Sequence, residues 1–296
     1  MERVYDMIVV GGGPAGYSAA LYGARAGLSV LVLEKLSAGG QMALTDSIDN
    51  YPGFDEGIDG FSLGEKMQQG AERFGAVTEL AEVYDVDLKS DPKVLHTSEG
   101  RFLGRTVAIA TGAGPRELGI PGEQSRAHYC AACDGMRYRG RTVAVIGGGN
   151  SAVGDALQLA RIAKKVYLIH RRDSLRAEKI HQDSLMSAEN VEIIWNSAPV
   201  EMSESGILIQ DVQTGEKTLV ACDGIFVSIG RKPATNLVAG QLVLDNAGYI
   251  IADESTKTSI PGVFAAGDVR TKALRQVVTA VADGAMAVHF AQEYLG

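Results

Sequence analysis

The feature that most constrains how this chain folds is a pattern that occurs twice. Residues 4–10 (Val4-Tyr5-Asp6-Met7-Ile8-Val9-Val10) form an apolar, β-rich run that leads into Gly11-Gly12-Gly13-Pro14-Ala15-Gly16 and an alanine-rich helical stretch to Ala26. Residues 30–33 make a second apolar strand, which ends on Glu34. The pattern returns 136 residues later without a gap: a strand over 143–146, the turn Gly147-Gly148-Gly149-Asn150-Ser151-Ala152, a helix over 153–163 and a strand over 166–169. Gly11 aligns with Gly147, Arg25 with Arg161 and Val30 with Val166. Strand, glycine turn, helix and strand together make a Rossmann-type unit. Its first glycine permits the tight turn, its second lets the backbone approach a pyrophosphate, and its third lets helix and strand pack closely. Gly11, Gly13 and Gly16, with Pro14 and Ala15 between them, fill these places in the first copy. Gly147, Gly149, Asn150 and Ser151 form the phosphate turn of the second.

The copies differ where the second strand ends. Glu34, 18 residues after Gly16, is placed to accept a hydrogen bond from a ribose hydroxyl. Its counterpart is His170, followed by Arg171, Arg172 and Arg176. A carboxylate repels a 2'-phosphate, whereas guanidinium groups bind one through charge-assisted, often bidentate hydrogen bonds. The first site therefore suits FAD or NAD and the second NADPH; the plain alternative for the second is a solvated basic turn.

Just ahead of the second unit lies Cys130-Ala131-Ala132-Cys133-Asp134-Gly135. A Cys-x-x-Cys pair lowers the pKa of at least one thiol, and the thiolate is the attacking species in disulfide exchange, so this stretch reads as a dithiol redox centre. Zinc ligation by Cys130, Cys133 and His128 is the rival, but a structural zinc wants four ligands and the sequence offers no second pair. Cys222 sits in an apolar run and is expected to be a core thiol, and His128 to be a surface or docking residue.

Elsewhere, Gly39-Gly40-Gln41 and Asn50-Tyr51-Pro52-Gly53-Phe54 form a polar, glycine-rich region expected to wrap a ligand. An amphipathic helix is predicted near 62–74, with strands around 78–87, 94–97 and 105–110, the last ending in Thr111-Gly112. Residues 113–118 and 238–245 read as linkers, with strands and turns over 191–229 between them. A strand ending in Gly267-Asp268 delivers an aspartate to the sheet edge where α/β proteins bind ligands; the alternative is that Asp268 caps a helix starting near Ala273. A final apolar helix over 277–294 is expected to pack back on the first domain. The expectation is an α/β protein with two Rossmann-like dinucleotide-binding domains: residues 1–112 and 246–296 form one, and residues 113–245, carrying the Cys-x-x-Cys, are inserted into it.

The balance of 28 basic and 36 acidic residues argues against a general affinity for nucleic acid or anionic membrane and leaves room only for a local basic patch. No apolar run approaches the roughly 20 residues of a spanning helix. Glu2 and Asp6 precede the first apolar run without a small-residue cleavage site, so no signal peptide is expected and a cytoplasmic location follows. Three cysteines are too few for a disulfide scaffold.

This order of motifs resembles the low-molecular-weight thioredoxin reductases, from about Tyr5 to the C-terminus. The most specific parts are the Cys130-to-Gly135 stretch just before the second glycine motif, His170-Arg171-Arg172-Asp173-Ser174-Leu175-Arg176-Ala177, and Val263-Phe264-Ala265-Ala266-Gly267-Asp268-Val269. The resemblance implies FAD held by Gly11, Gly13, Gly16, Glu34, Gln41, Asn50, Thr111, Gly112, Asp268, Arg275 and Gln276, and NADPH held by Gly147, Gly149, Asn150, Ser151, His170, Arg171, Arg172 and Arg176. It further implies that Cys133 faces the flavin, that Cys130 attacks the disulfide of thioredoxin or a similar small redoxin, and that Asp134 is the acid/base. A homodimer is implied as well, as is rotation of the inserted domain on its two linkers. Two departures stand out: Met136-Arg137-Tyr138-Arg139, with Arg141, where members carry bulky aromatics, and Gly154-Asp155 where they carry paired glutamates. The arginines suit an acidic redoxin; the plain alternative is a solvated loop entering a strand. The reductase component of a peroxide-removing system and a flavin-bound sensor without turnover are the alternative readings.

Overall fold

Apolar runs with both faces buried are what a parallel sheet covered by helices requires, and the chain begins with two of them. A computed structural model describes residues 3–45 and 47–296; Glu2, used above in reading the N-terminus, lies outside the described residues. The chain divides into two units, Met1–Gly114 with Lys232–Gly296, and Pro115–Arg231.

In the first unit, β1 (Val4–Val10) and β2 (Val30–Glu34) pair in parallel around α1 (Pro14–Arg25). Ile8, Val9, Leu31 and Val32 are at most 1% exposed, each burial contributing about 1.5–3 kcal/mol. The short 3-10 turn Gly40–Leu44 precedes α2 (Gly60–Glu72), which starts where the Asp59 carboxylate accepts the Ser62 N–H at 2.8 Å. β3 (Val77–Leu80) extends the parallel sheet beyond β2. β4 (Val83–Asp87), β5 (Lys93–Thr97) and β6 (Gly100–Ile109) form an antiparallel meander, and β6 also lies parallel to β1. The chain leaves through β7 (Ala113–Pro115).

In the second unit, α3 (Glu123–Arg126), β8 (Ala127–His128) and α4 (Ala131–Asp134) precede the second glycine unit. That unit is β9 (Thr142–Ile146), α5 (Asn150–Ala160) and β10 (Lys165–Ile169), followed by α6 (Lys179–Met186) and β11 (Val191–Ile194). β12 (Ser197–Ser203), β13 (Gly206–Asp211) and β14 (Lys217–Ala221) form a separate antiparallel sheet. β15 (Gly224–Val227) completes a parallel sheet of order β11-β10-β9-β15-β8. The return strand β16 (Arg231–Pro233) pairs with β7, so the two crossings run side by side. The first unit then gains β17 (Val263–Ala265), parallel to β6, and α7 (Val277–Leu295). α7 packs on α1, with the Ser18 hydroxyl donating to the Val281 carbonyl at 2.6 Å.

The two-Rossmann α/β architecture matches the expectation, and the inserted stretch is shorter at its C-terminal end. Residues 238–245 are not a linker: Val238 and Leu242 are buried in the first unit's core beside Leu88 and Ile250. Gln241 fixes the segment by accepting the Leu88 N–H and donating to the Val86 carbonyl. A segment with apolar side chains at 238, 242 and 244 has more to gain from that core than from solvent. Asp268 does not cap the last helix. Gln276 does, exchanging hydrogen bonds with Thr279 in a capping box.

Under β17 lies a buried ion cluster. Asp283 accepts from Arg270 at 2.6 and 2.9 Å, from Lys272 at 2.9 Å and from the Gly267 N–H at 2.9 Å. Burial raises the Asp283 pKa, but the hydrogen bonds from Arg270 and Lys272 outweigh it and hold the carboxyl below its ordinary range. Asp283→Asn leaves two cations without their counter-charge and should cost about 3–5 kcal/mol, read as a fall in the urea midpoint. With the folded pKa depressed, this contribution is present above the unfolded carboxyl pKa and fades as pH falls through the folded value; the wild-type advantage over Asp283→Asn should shrink in acid.

Candidate functional site

Parallel neighbouring strands bring their C-terminal ends to one edge, and in both units that edge gathers the motif residues. In the first unit, β2 ends at Glu34, β1 runs into Gly11, β6 into Thr111-Gly112 and β17 into Asp268. A Cβ on Gly11 would stand 2.6 Å from the Ala110 carbonyl oxygen, and Gly11 has φ +106°, so only glycine fits this corner. The Glu34 carboxylate is anchored by the Gly12 N–H at 2.6 Å and the Leu36 N–H at 3.0 Å, which fixes the strand-end acid beside the turn. The Gly39 N–H donates to the Gly12 carbonyl at 2.8 Å and draws the loop carrying Gln41 onto the turn. Asn50 and Gln276, 226 residues apart, are joined by a hydrogen bond of 3.1 Å. The Thr111 hydroxyl donates to the Ala234 carbonyl at 2.7 Å. Arg275 is turned into its own loop, bonded to the carbonyls of Arg270 and Lys272 and lying 4.0 Å over the Tyr249 ring.

In the second unit the same edge is made by β10, β9, β15 and β8. His170 takes the position of Glu34 but not its hydrogen bonds. Its ring lies against Gly148, where an added Cβ would overlap it, and its Nε2–H donates to the Ser174 carbonyl at 3.1 Å. Burial lowers the His170 pKa, with Arg176, Arg172 and Arg171 adding to the effect, so this residue shapes the turn as a neutral ring. The Arg176 N–H donates to the Gly148 carbonyl at 2.7 Å, and Arg171, Arg172 and Arg176 are all exposed at this one corner. Asn150 is engaged with Glu178: its Oδ1 accepts the Glu178 N–H at 2.8 Å, and its Nδ2 donates to the Glu178 carboxylate at 3.2 Å. Ser228, which sequence reasoning passed over, closes the edge at the end of β15. It donates to Asp155 at 2.5 Å, and burial raises the pKa of that carboxyl. Gly154 is exposed and a Cβ there would meet nothing, so packing does not explain the glycine.

Both turns fit a dinucleotide. The helix caps Gly13 and Gly149 have no side-chain cap, which leaves the first-turn N–H groups of α1 and α5 for an anion. The nearest neighbour to a Cβ on Gly13 would be 4.0 Å away, and a Cβ on Gly149 would meet nothing, so the backbone is open to close approach at both turns.

β8 delivers the redox turn to the same edge. Cys130 caps α4 and is joined by a disulfide to Cys133, with Cα atoms 5.3 Å apart. The N–H groups of Cys133 and Asp134 both donate to the Cys130 carbonyl. Asp134, with its side chain 15% exposed, approaches His128 Nδ1 at 3.3 Å, and His128 Nε2 meets the Tyr138 hydroxyl at 2.7 Å. His128 is therefore not a free surface residue, and it is engaged with Asp134 and Tyr138 rather than with the sulfurs. Its sequence signal was proximity alone, two residues before Cys130.

Cys222 is the free cysteine, and burial pushes its thiol up to about 11. At pH 7 roughly one molecule in ten thousand then carries the thiolate. Iodoacetamide at pH 7 should label Cys130 and Cys133 only after reduction and leave Cys222 unlabelled, as peptide mass spectrometry would show.

Comparison with known proteins gives the family. The profile of the pyridine nucleotide-disulphide oxidoreductases matches residues 5–284. A thioredoxin reductase of Peptoclostridium acidaminophilum is 43% identical, over 100% of this chain and 98% of its own. The crystal structure of thioredoxin reductase from Streptococcus pyogenes superposes with a TM-score of 0.93 at 44% identity, covering 100% of this chain and 99% of the other. Thioredoxin reductase from Giardia duodenalis gives the same TM-score of 0.93 at 33% identity, with 99% of each chain covered. The chain belongs to the pyridine nucleotide-disulphide oxidoreductase family and, within it, to the low-molecular-weight thioredoxin reductases.

Proposed function

We propose that this chain is an NADPH-dependent, FAD-containing disulfide reductase that passes electrons through Cys130 and Cys133 to thioredoxin or a similar small redoxin. The observation that carries the proposal is the shared sheet edge of the second unit, where a Cys-x-x-Cys disulfide closes one end and a three-arginine corner the other. A sensor without turnover needs no hydride source, and this unit is furnished for one.

When bound, FAD supplies a two-electron carrier that accepts hydride and yields the pair to a disulfide. On this reading the first unit holds FAD: the Gly11, Gly13, Pro14, Ala15 and Gly16 turn meets the pyrophosphate, Glu34 the adenosine ribose, and Gln41, Asn50, Thr111, Gly112, Asp268, Arg275 and Gln276 the remainder. Glu34 keeps acceptor capacity beyond its two backbone partners, since an ionised carboxylate offers about four lone-pair sites. The second unit holds NADPH: Gly147, Gly149, Asn150 and Ser151 form the pyrophosphate turn, His170 supports it, and Arg171, Arg172 and Arg176 take the 2'-phosphate.

Disulfide exchange then proceeds in two steps. The Cys130 thiolate attacks the redoxin disulfide, forming a mixed disulfide and releasing one redoxin sulfur. Cys133 next attacks Cys130, the Cys130–Cys133 bond re-forms, and the second redoxin sulfur leaves as a thiolate that takes a proton from Asp134. Exposed Met136, with Arg139 and Arg141 exposed nearby, offers an acidic redoxin an apolar contact edged with positive charge. A cytoplasmic setting and a homodimer belong to the same proposal, supported by the sparse cysteines and by the resemblance. Among the described residues no helix is long and apolar enough to cross a membrane.

Cys133→Ser should abolish turnover with thioredoxin while leaving flavin bleaching by NADPH intact in stopped-flow absorbance; loss of bleaching would contradict the assignment. Charge-assisted hydrogen bonds are worth about 1.5–3 kcal/mol each. Arg171→Ala with Arg172→Ala should therefore raise KM for NADPH by roughly 100-fold and leave KM for NADH nearly unchanged; equal effects on the two would remove the 2'-phosphate argument.

A further inference from the structure

The Asp134 carboxyl does not stand alone beside the disulfide. It begins a line of polar atoms that runs inward: Asp134 Oδ2 to His128 Nδ1 at 3.3 Å, and His128 Nε2 to the Tyr138 hydroxyl at 2.7 Å. The two rings are held by packing. His128 lies in β8 opposite Phe226 of β15, with ring centroids 5.2 Å apart. Tyr138 meets both the His128 and the Phe226 rings edge-on, at 5.3 and 5.6 Å. Its ring also rests on Gly224, where an added Cβ would lie 2.5 Å from it. The His128 and Asp134 side chains are only 21% and 15% exposed. A rigid aromatic cage therefore holds an imidazole between a carboxyl and a phenol.

We propose that His128 is a positioning residue for Asp134, fixing the carboxyl beside the redox turn and sharing its proton; this rests on the disulfide-reductase reading given above. The hydrogen-bond roles are consistent in both protonation states of the pair. With one proton on the imidazole, Nδ1–H donates to the Asp134 carboxylate and Nε2 accepts from the Tyr138 O–H. With a second proton, Nε2–H donates and the Tyr138 hydroxyl turns to accept, which a hydroxyl does by rotation. When the redoxin thiolate leaves Cys130, the electron pair of the old Cys130–redoxin bond remains on the departing sulfur, and the proton held between His128 Nδ1 of the doubly protonated imidazole and Asp134 Oδ2 passes through Asp134 to that sulfur. Asp134 is left a carboxylate and His128 a neutral ring with its remaining proton on Nε2. The charged groups facing this line are Asp134 itself, Arg137 at 4.0 Å from Asp134, and Arg126 and Arg141 near Tyr138. The arginines keep their charge across the working pH range.

The test uses FAD-loaded enzyme with NADPH and thioredoxin. His128→Ala should lower kcat for thioredoxin about tenfold and move the acid limb of its pH profile, with stopped-flow flavin reduction by NADPH unchanged. His128→Asn, which can still donate to Asp134 but has no ring nitrogens to relay a proton, should recover most of the rate at neutral pH without restoring the limb. In an Asp134→Asn background, His128→Ala should cost nothing more. An unmoved pH profile, or a full additional loss in that background, would overturn the proposal. If wild-type enzyme reduces its flavin yet turns over no disulfide at any pH, it is the disulfide-reductase reading that fails.

Discussion

Close backbone approach at a few glycines is the constraint on which the rest of the structure hangs. A Cβ on Gly16 would overlap the Gly11 carbonyl, and one on Gly284 would overlap the Ala15 carbonyl, so α1 is clamped by the turn before it on one side and by α7 on the other. In the second unit a Cβ on Gly147 would come within 2.5 Å of the Ser228 carbonyl oxygen. These corners hold each helix N-terminus, with its N–H groups uncapped by any side chain, at the edge where the parallel strands end. Each further functional element then needs only to reach that edge. Glu34 and Asp268 do so from β2 and β17, and the disulfide does so from β8.

The second consequence is electrostatic. The two units use one scaffold and differ in what the strand end places against the middle glycine. In the first unit an anionic carboxylate grips the Gly12 N–H; in the second a neutral imidazole fills the same place under Gly148, with three arginines left outside. A neutral imidazole in place of the carboxylate, together with the three arginines, thus reverses the local charge at the same point of the motif. The disulfide follows β8 in the same unit, beside the Asp134, His128 and Tyr138 line to which we assign the proton chemistry of disulfide exchange.

Much of this was legible in the sequence because it is local and periodic. The glycine turns, their flanking strands, Glu34, the arginine cluster and Cys130-to-Gly135 are contiguous runs whose spacing fixes their geometry. The end of the insertion was not legible, because residues 238–245 look like a linker until their apolar positions meet the core holding Leu88 and Ile250. The roles of Asn150 and Arg275 were only half legible: the sequence places them at the motifs, while Glu178 and Tyr249, which engage them, come from separate segments. His128 was missed for a related reason. A lone histidine has no period, and its meaning comes from Phe226, 98 positions away, which packs the ring so that both nitrogens find partners.

On the proposed reading, electrons from NADPH reach sulfur within this chain. Anaerobic addition of NADPH to the FAD-loaded protein, without any redoxin, followed by thiol trapping and peptide mass spectrometry, measures this directly. The flavin should bleach and new thiols should appear at Cys130 and Cys133, with Cys222 untouched. A bleached flavin beside an intact Cys130–Cys133 disulfide would refute the proposed electron path.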